Sequence, residues 1–187
     1  GSSLDMAELA TSVAIGYDWL YKDLSSEVKA LAEKAMLDFA LTPSDKGEYS
    51  QNFYNNNHNW NQVCNAGLVC AALVTYEKYP DFAKKMIDKS VSTNLRAVEV
   101  MYAPDGIYPE GPSYWSYGTA FQCVMLSALE SCLGTDYGIS AVNGFNKTGH
   151  FMLFAVGATE KFFNFSDTME TLVPIFPMWY FADKFQQ

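Results

Sequence analysis

Between Tyr49 and Tyr76 the chain carries no charged side chain, and none appears again from Ser113 until Glu130. No other feature restricts the fold as strongly. Within the first stretch, Val63 to Val74 is apolar nearly all round, and a helix of that kind is buried on most sides. The segments between these stretches read differently. Ser25 or Ser26 can cap a helix in which Val28, Leu31, Ala32, Ala35, Met36 and Phe39 form an apolar stripe, with Lys29, Glu33, Lys34 and Asp38 mostly away from it. Asp81 to Tyr102 repeats that amphipathic type, with Lys84, Lys85, Asp88 and Lys89 outward.

The spacing predicts helices over Leu4 to Tyr21 (Leu9, Val13, Gly16, Tyr17 and Leu20 on one face), 27–40, Asn59 to Tyr79, 81–102 and Ser113 to Leu133. Phe145 to Lys161 reads as a third apolar helix, and a last helix follows Thr171, notched by Pro174 and Pro177. No strand signal and no tight repeat stands out. Alternation of buried and amphipathic helices suits a double layer, in which inner helices touch neighbours all round and outer ones keep a wet face. The expected fold is therefore all-α, an α/α toroid of antiparallel helical hairpins. There are too few helices to close such a ring, so an incomplete one is expected, with residues 1–187 as a single domain or a fragment of one. Val69 and Leu126 should be buried, and the helices near Asn59, Ser113 and Phe145 should be the inner ones.

Twelve basic against twenty-one acidic residues give a net charge of −9, which argues against nucleic acid as a partner. The longest apolar run, Ala66 to Val74, is far short of the roughly 20 residues of a membrane span. No signal peptide is visible, and Gly1-Ser2-Ser3 reads as an expression remnant. Cys64, Cys70, Cys123 and Cys132 match no zinc spacing and read as buried free thiols. No metal and no cofactor is expected.

Two polar and aromatic clusters stand just before the apolar segments. In the first, Asn55-Asn56-Asn57-His58-Asn59-Trp60-Asn61, one Asn would be enough to cap a helix. The surplus of amides, with a histidine and a tryptophan, suits a carbohydrate surface, since sugars need planar hydrogen-bonding groups and a stacking face. The second runs from Asp105 to Gly118 and holds Glu110, Tyr114, Trp115 and Tyr117. It reads either as a Gly/Pro-punctuated loop packing on helix ends or as the second wall of a cleft. Asp105 and Glu110 are also candidates for the acid/base pair of a glycoside hydrolase. Asn164-Phe165-Ser166-Asp167 offers a weaker third wall, and His150 reads as a core histidine.

At Asn57-His58 before an apolar helix, and at Asp105-Gly-Ile-Tyr-Pro-Glu-Gly-Pro-Ser-Tyr114-Trp-Ser-Tyr-Gly some fifty residues on, the chain resembles the heparinase II/III-like polysaccharide lyases and the related alginate and oligo-alginate lyases. The likeness covers residues 55–120 well and 10–167 loosely. It implies an α/α-toroid domain followed by a β-sandwich domain, which this chain lacks. It further implies β-elimination on an acidic, uronate-containing glycan and a periplasmic or secreted location. It places Asn57 and His58 where the family neutralises the uronate carboxylate and handles the proton, and Tyr114 where it has its catalytic tyrosine. Trp60, Glu110, Trp115 and Tyr117 are the expected substrate-binding residues. The family's further catalytic Tyr or His has no counterpart identifiable here. A helical-barrel glycoside hydrolase and a non-catalytic glycan-binding domain are the rival readings.

Overall fold

A computed structural model describes residues 2–49 and 52–186. Among these the protein is all-α, with helices packed on one another, no strand, and one isolated antiparallel bridge between Val156 and Phe162. Helix α1 spans Ser3–Trp19. Ser2 caps it: its hydroxyl accepts from the Asp5 N–H while the Asp5 carboxylate accepts from the Ser2 N–H, which satisfies two donors that a helix start leaves open. Whatever its origin, Ser2 is thus built into the helix. Helix α2 (Ser26–Met36), capped by Ser25, passes through a π-helical turn at Leu37–Leu41 into α3 (Thr42–Lys46). Then come α4 (Asn59–Thr75), α5 (Pro80–Met101), α6 (Gly111–Leu133), α7 (Thr148–Ala155) and α8 (Pro177–Phe185).

Helix α4 lies between α1 and α6, and α5 packs on a third side of it. The contacts fix the directions. Cys64 reaches the Ser3 carbonyl and Gly67 meets Ala7, so α1 and α4 advance together. Asn59 meets Glu110 and, further along both helices, Gln62 meets Gly118, so α4 and α6 also run the same way. Helix α5, joined to α4 by a short turn, returns antiparallel. Ion pairs Lys85–Asp45 (2.7 Å) and Lys78–Glu33 (2.9 Å) connect α5 and the end of α4 to the α2–α3 segment. A row of three parallel helices is therefore backed by α2, α3 and α5.

Val63, Leu68, Val69, Cys70, Met125, Leu126 and Leu129 are all in the core. Helix α5 buries Ala83, Met86, Ile87, Val91, Ala97, Val98 and Met101 and keeps Lys84, Lys85 and Asp88 exposed. These match the predicted inner and outer types. Five expectations do not hold. In α1 the buried face is the small one, Ala7, Ala10 and Ala14, whereas Leu9 and Val13 are exposed; α1 approaches α4 too closely for larger side chains. The stripe on α2 is mostly open too, with Leu31 68 % and Phe39 70 % exposed. Leu9, Val13 and Phe39 line a groove of ≈ 700 Å³ between α1 and the α2–α3 segment. The segment from Phe145 is not one long inner helix. A 3₁₀ turn leads into α7, which stops at Ala155, and Phe154 is 85 % exposed. Finally, Cys64, Cys70 and Cys123 are buried thiols, but Cys132 is exposed, and so is His150.

Candidate functional site

The start of α4 is held from several sides. The 3₁₀ turn Phe53–Asn55 sinks Phe53 into the core. The buried Asn61 amide donates to the carbonyls of Phe53 (3.2 Å) and Tyr54 (3.3 Å). Arg96, the only arginine, donates to the Tyr54 carbonyl at 2.7 Å, and Lys89 lies 4.0 Å above the Tyr54 ring. His58 is the N-cap of α4. Its Nδ1 accepts from the Trp60 N–H at 3.4 Å. Accepting there leaves the proton of the neutral ring on Nε2, which is then a donor. The Trp60 ring stands edge-on to His58 at 6.2 Å, and both residues are half-buried, while Asn57 is exposed.

Glu110, at the start of α6, connects to this turn directly. Its Oε2 accepts from the Asn59 N–H and its Oε1 from the Asn59 Nδ2, both at 2.7 Å. Eight residues on, Gly118 lies against Asn59, Gln62 and Tyr108, so closely that a Cβ would sit 2.4 Å from the Gln62 Oε1. Residues at i, i+4 and i+8 share one side of a helix. Tyr114, between Glu110 and Gly118 on that row, therefore sits on the side of α6 that faces the first turn of α4. It is half-buried, and its hydroxyl makes no hydrogen bond among the described residues. The arrangement brings the start of α4, with Asn57 and His58, beside the first turns of α6, with Tyr114.

The other expected binding residues are placed differently. Trp115 is fully buried; its indole N–H donates to Thr148 Oγ1 at 2.8 Å and its ring lies 6.0 Å from Phe181. It is a core residue and cannot stack on a sugar. Tyr117 turns toward α1 and donates to the Glu8 carboxylate; burial and then Glu8 hold its phenol above the ordinary tyrosine range. Glu110 has both oxygens engaged by Asn59, which fixes the carboxylate against the start of α4. Asp105 is exposed and accepts from the Ile107 N–H at 3.3 Å, closing a local turn. Trp60 remains the exposed-edged aromatic beside His58. The segment around Asn164 to Asp167 does approach the site: Thr168 Oγ1 accepts from the Ser113 N–H at 3.4 Å, and Gly111 (φ 83°) is crowded by Thr168 and the Phe165 carbonyl.

Beneath the site lies a buried polar network that the sequence reading passes over. Gln62 Oε1 accepts from the Tyr108 hydroxyl (2.7 Å), and its Nε2 donates to the Tyr102 oxygen (2.6 Å), which also pairs with Thr119 (2.8 Å). The Asn94 and Gln122 amides donate to each other at 2.8 and 2.7 Å, and Asn94 also donates to Asn61. Burial keeps the Tyr102 and Tyr108 phenols far above their usual range, so both stay protonated. The available signal was the set of amides at positions 61, 62, 65, 94 and 122, each in the phase of an otherwise apolar face. Asn59 Oδ1 and Ser113 Oγ are buried with no hydrogen-bond partner among the described residues, so polar atoms remain open at the two helix starts. No group of His, Cys, Asp and Glu among the described residues has the makings of a metal site. No protein-family model matches the chain, and no curated protein matches it.

Proposed function

We propose that this chain is the helical domain of a polysaccharide lyase that cleaves a uronate-containing glycan by β-elimination. One observation carries the reading: the starts of α4 and α6 are joined through Asn59 and Glu110, so Asn57, His58 and Tyr114 belong to one end of two parallel helices. The resemblance of these residues to those of heparinase II/III-like lyases points the same way. The row α1, α4, α6 backed by α2, α3 and α5 is what an incomplete α/α toroid requires. On this reading a β-sandwich domain elsewhere in the protein completes the cleft, and the enzyme works in the periplasm or outside the cell.

The residue types fit the reaction. A base removes the C5 proton, the electron pair forms the C4–C5 double bond, and the C4–O4 bond breaks as O4 takes a proton. The C5 proton is very weakly acidic until the adjacent carboxylate is neutralised, so donors there stabilise the developing enolate. The Asn57 amide and the His58 Nε2–H supply them. The Tyr114 hydroxyl protonates O4 and, in a syn geometry, takes the C5 proton when it is first ionised. Trp60 supplies the stacking face.

The hydrolase alternative is the weaker one, because Glu110 is tied through both oxygens to Asn59 and Asp105 closes a local turn. Product analysis on polymannuronate, polyguluronate and heparan-type chains tests the assignment. Elimination leaves an unsaturated uronate that absorbs in the ultraviolet. New reducing ends without that absorbance would establish hydrolysis instead, and polymer bound with neither signal by the protein that includes the β-sandwich domain would establish a binding role.

A further inference from the structure

Glu110 stands at the start of α6, yet the helix it caps is α4, fifty-one residues earlier in the chain. We propose that Glu110 is a positioning residue that sets the distance between His58 and Tyr114; this rests on the lyase reading above. Its carboxylate takes both donors of Asn59, the backbone N–H and the side-chain amide. Asn59 is 2 % exposed and directly follows His58, so its main chain fixes where the imidazole starts. Glu110 precedes Tyr114 by one helical turn, so the same side chain fixes where the phenol starts. Two charge-assisted bonds in fork geometry hold orientation as well as separation, and the negative charge is at the favoured end of α4. Helix α6 in turn receives its own partner from Thr168, whose Oγ1 accepts from the Ser113 N–H. Each helix start thus receives an acceptor from a distant part of the chain, and the site geometry depends on those crossed contacts.

Asn59 holds both Glu110 oxygens, so the orientation of the carboxylate is fixed. Its loss should therefore act through the relative placement of His58 and Tyr114 and appear in kcat more than in KM. Glu110→Gln is the informative variant. It is isosteric and retains one acceptor, but it sets an amide N–H₂ against one of the two Asn59 donors. In NMR spectra of the 187-residue chain, the Asn59 amide and the ring signals of His58 and Tyr114 are expected to move together, with the Trp115 indole signal unchanged. Asn59→Ala, which keeps the backbone donor, should give a smaller shift of the same signals. In a lyase assay on polyuronate, Glu110→Gln should lower kcat about tenfold or more with KM within about twofold. Ring signals of His58 and Tyr114 that stay fixed while the Asn59 amide moves would overturn the positioning role, and so would an unchanged kcat. Absence of unsaturated product from the protein that includes the β-sandwich domain would remove the lyase reading, and the NMR result on the 187-residue chain would still decide whether Glu110 positions the two rings.

Discussion

A methyl group on Gly67 would lie 2.6 Å from the Cα of Ala7, so the crossing of α4 over α1 leaves no room for a side chain there. The obstacle is backbone, which cannot rotate away. Gly67→Ala should therefore destabilise the protein by about 1–3 kcal/mol through overpacking, despite the better helix propensity of alanine. Urea unfolding measures this directly. Adding Ala7→Gly should not restore stability, because the blocking atoms include the Ala7 Cα and carbonyl oxygen. Full rescue by Ala7→Gly would show that only the methyl contact matters.

Gln62→Leu removes the acceptor of the Tyr108 hydroxyl and one partner of Tyr102. A buried hydroxyl left without a partner costs about 1–3 kcal/mol, and Tyr102 keeps Thr119. The larger share of the loss should therefore come from Tyr108. In a double-mutant cycle, Tyr108→Phe should be destabilising in the wild type and close to neutral beside Gln62→Leu. Equal costs in both backgrounds would exclude the coupling.

Thiol chemistry should separate the cysteines. Burial pushes Cys64 and Cys70 up to about 12 and Cys123 well above its ordinary value, whereas Cys132 is exposed. The thiolate is the reactive form. In the folded protein one thiol, Cys132, should label with a maleimide or a disulfide reagent at mildly alkaline pH. The other three should react only on unfolding, so raising the pH without denaturant should add little. Labelling of all four at one rate in the native state would contradict their burial.

The functional reading predicts distinct kinetic effects for residues that look alike in sequence. Tyr114→Phe removes only the proton-transferring hydroxyl and should lower kcat about 10²-fold or more, with a smaller change in KM. His58→Ala should also lower kcat. Trp60→Ala should weaken binding of oligouronates. Trp115→Phe should lower stability by removing the indole N–H donor to Thr148, whose hydroxyl keeps the Gly106 carbonyl, and leave binding unchanged, since the ring is enclosed. Near-full activity of Tyr114→Phe would remove that residue from the mechanism.

The buried helices were legible because the absence of charge over so many residues leaves few other environments for α4 and α6. The outer helix α5 was legible because its lysines recur on one side. Packing on α1 was not, because the sequence shows that Leu9 and Val13 are apolar but not that Ala7 and Gly67 approach so closely. The 145–161 run misled because apolar content alone does not separate a long helix from a short one followed by turns near Gly157. At the site, the Asn-rich segment and the polar and aromatic cluster from Asp105 to Gly118 stand out in the sequence, but two assignments change. Trp115 reads as a sugar-stacking aromatic until the first turns of α6 are seen to turn the indole inward onto Thr148 and Phe181. Glu110 reads as a free acid until Asn59 is found beside it, a partner that no local pattern announces.

The Asn61–Asn94–Gln122 amides have a consequence beyond their energy. Apolar side chains in a helical core tolerate small slips, since one methyl group replaces another. Amides do not: each has a donor end and an acceptor end, and α4, α5 and α6 each contribute one. Advancing or turning any of the three helices by one residue would set donor against donor or bury an amide against hydrocarbon. The interior therefore works as a keyed lock, in which a single axial alignment of the three helices closes all the bonds.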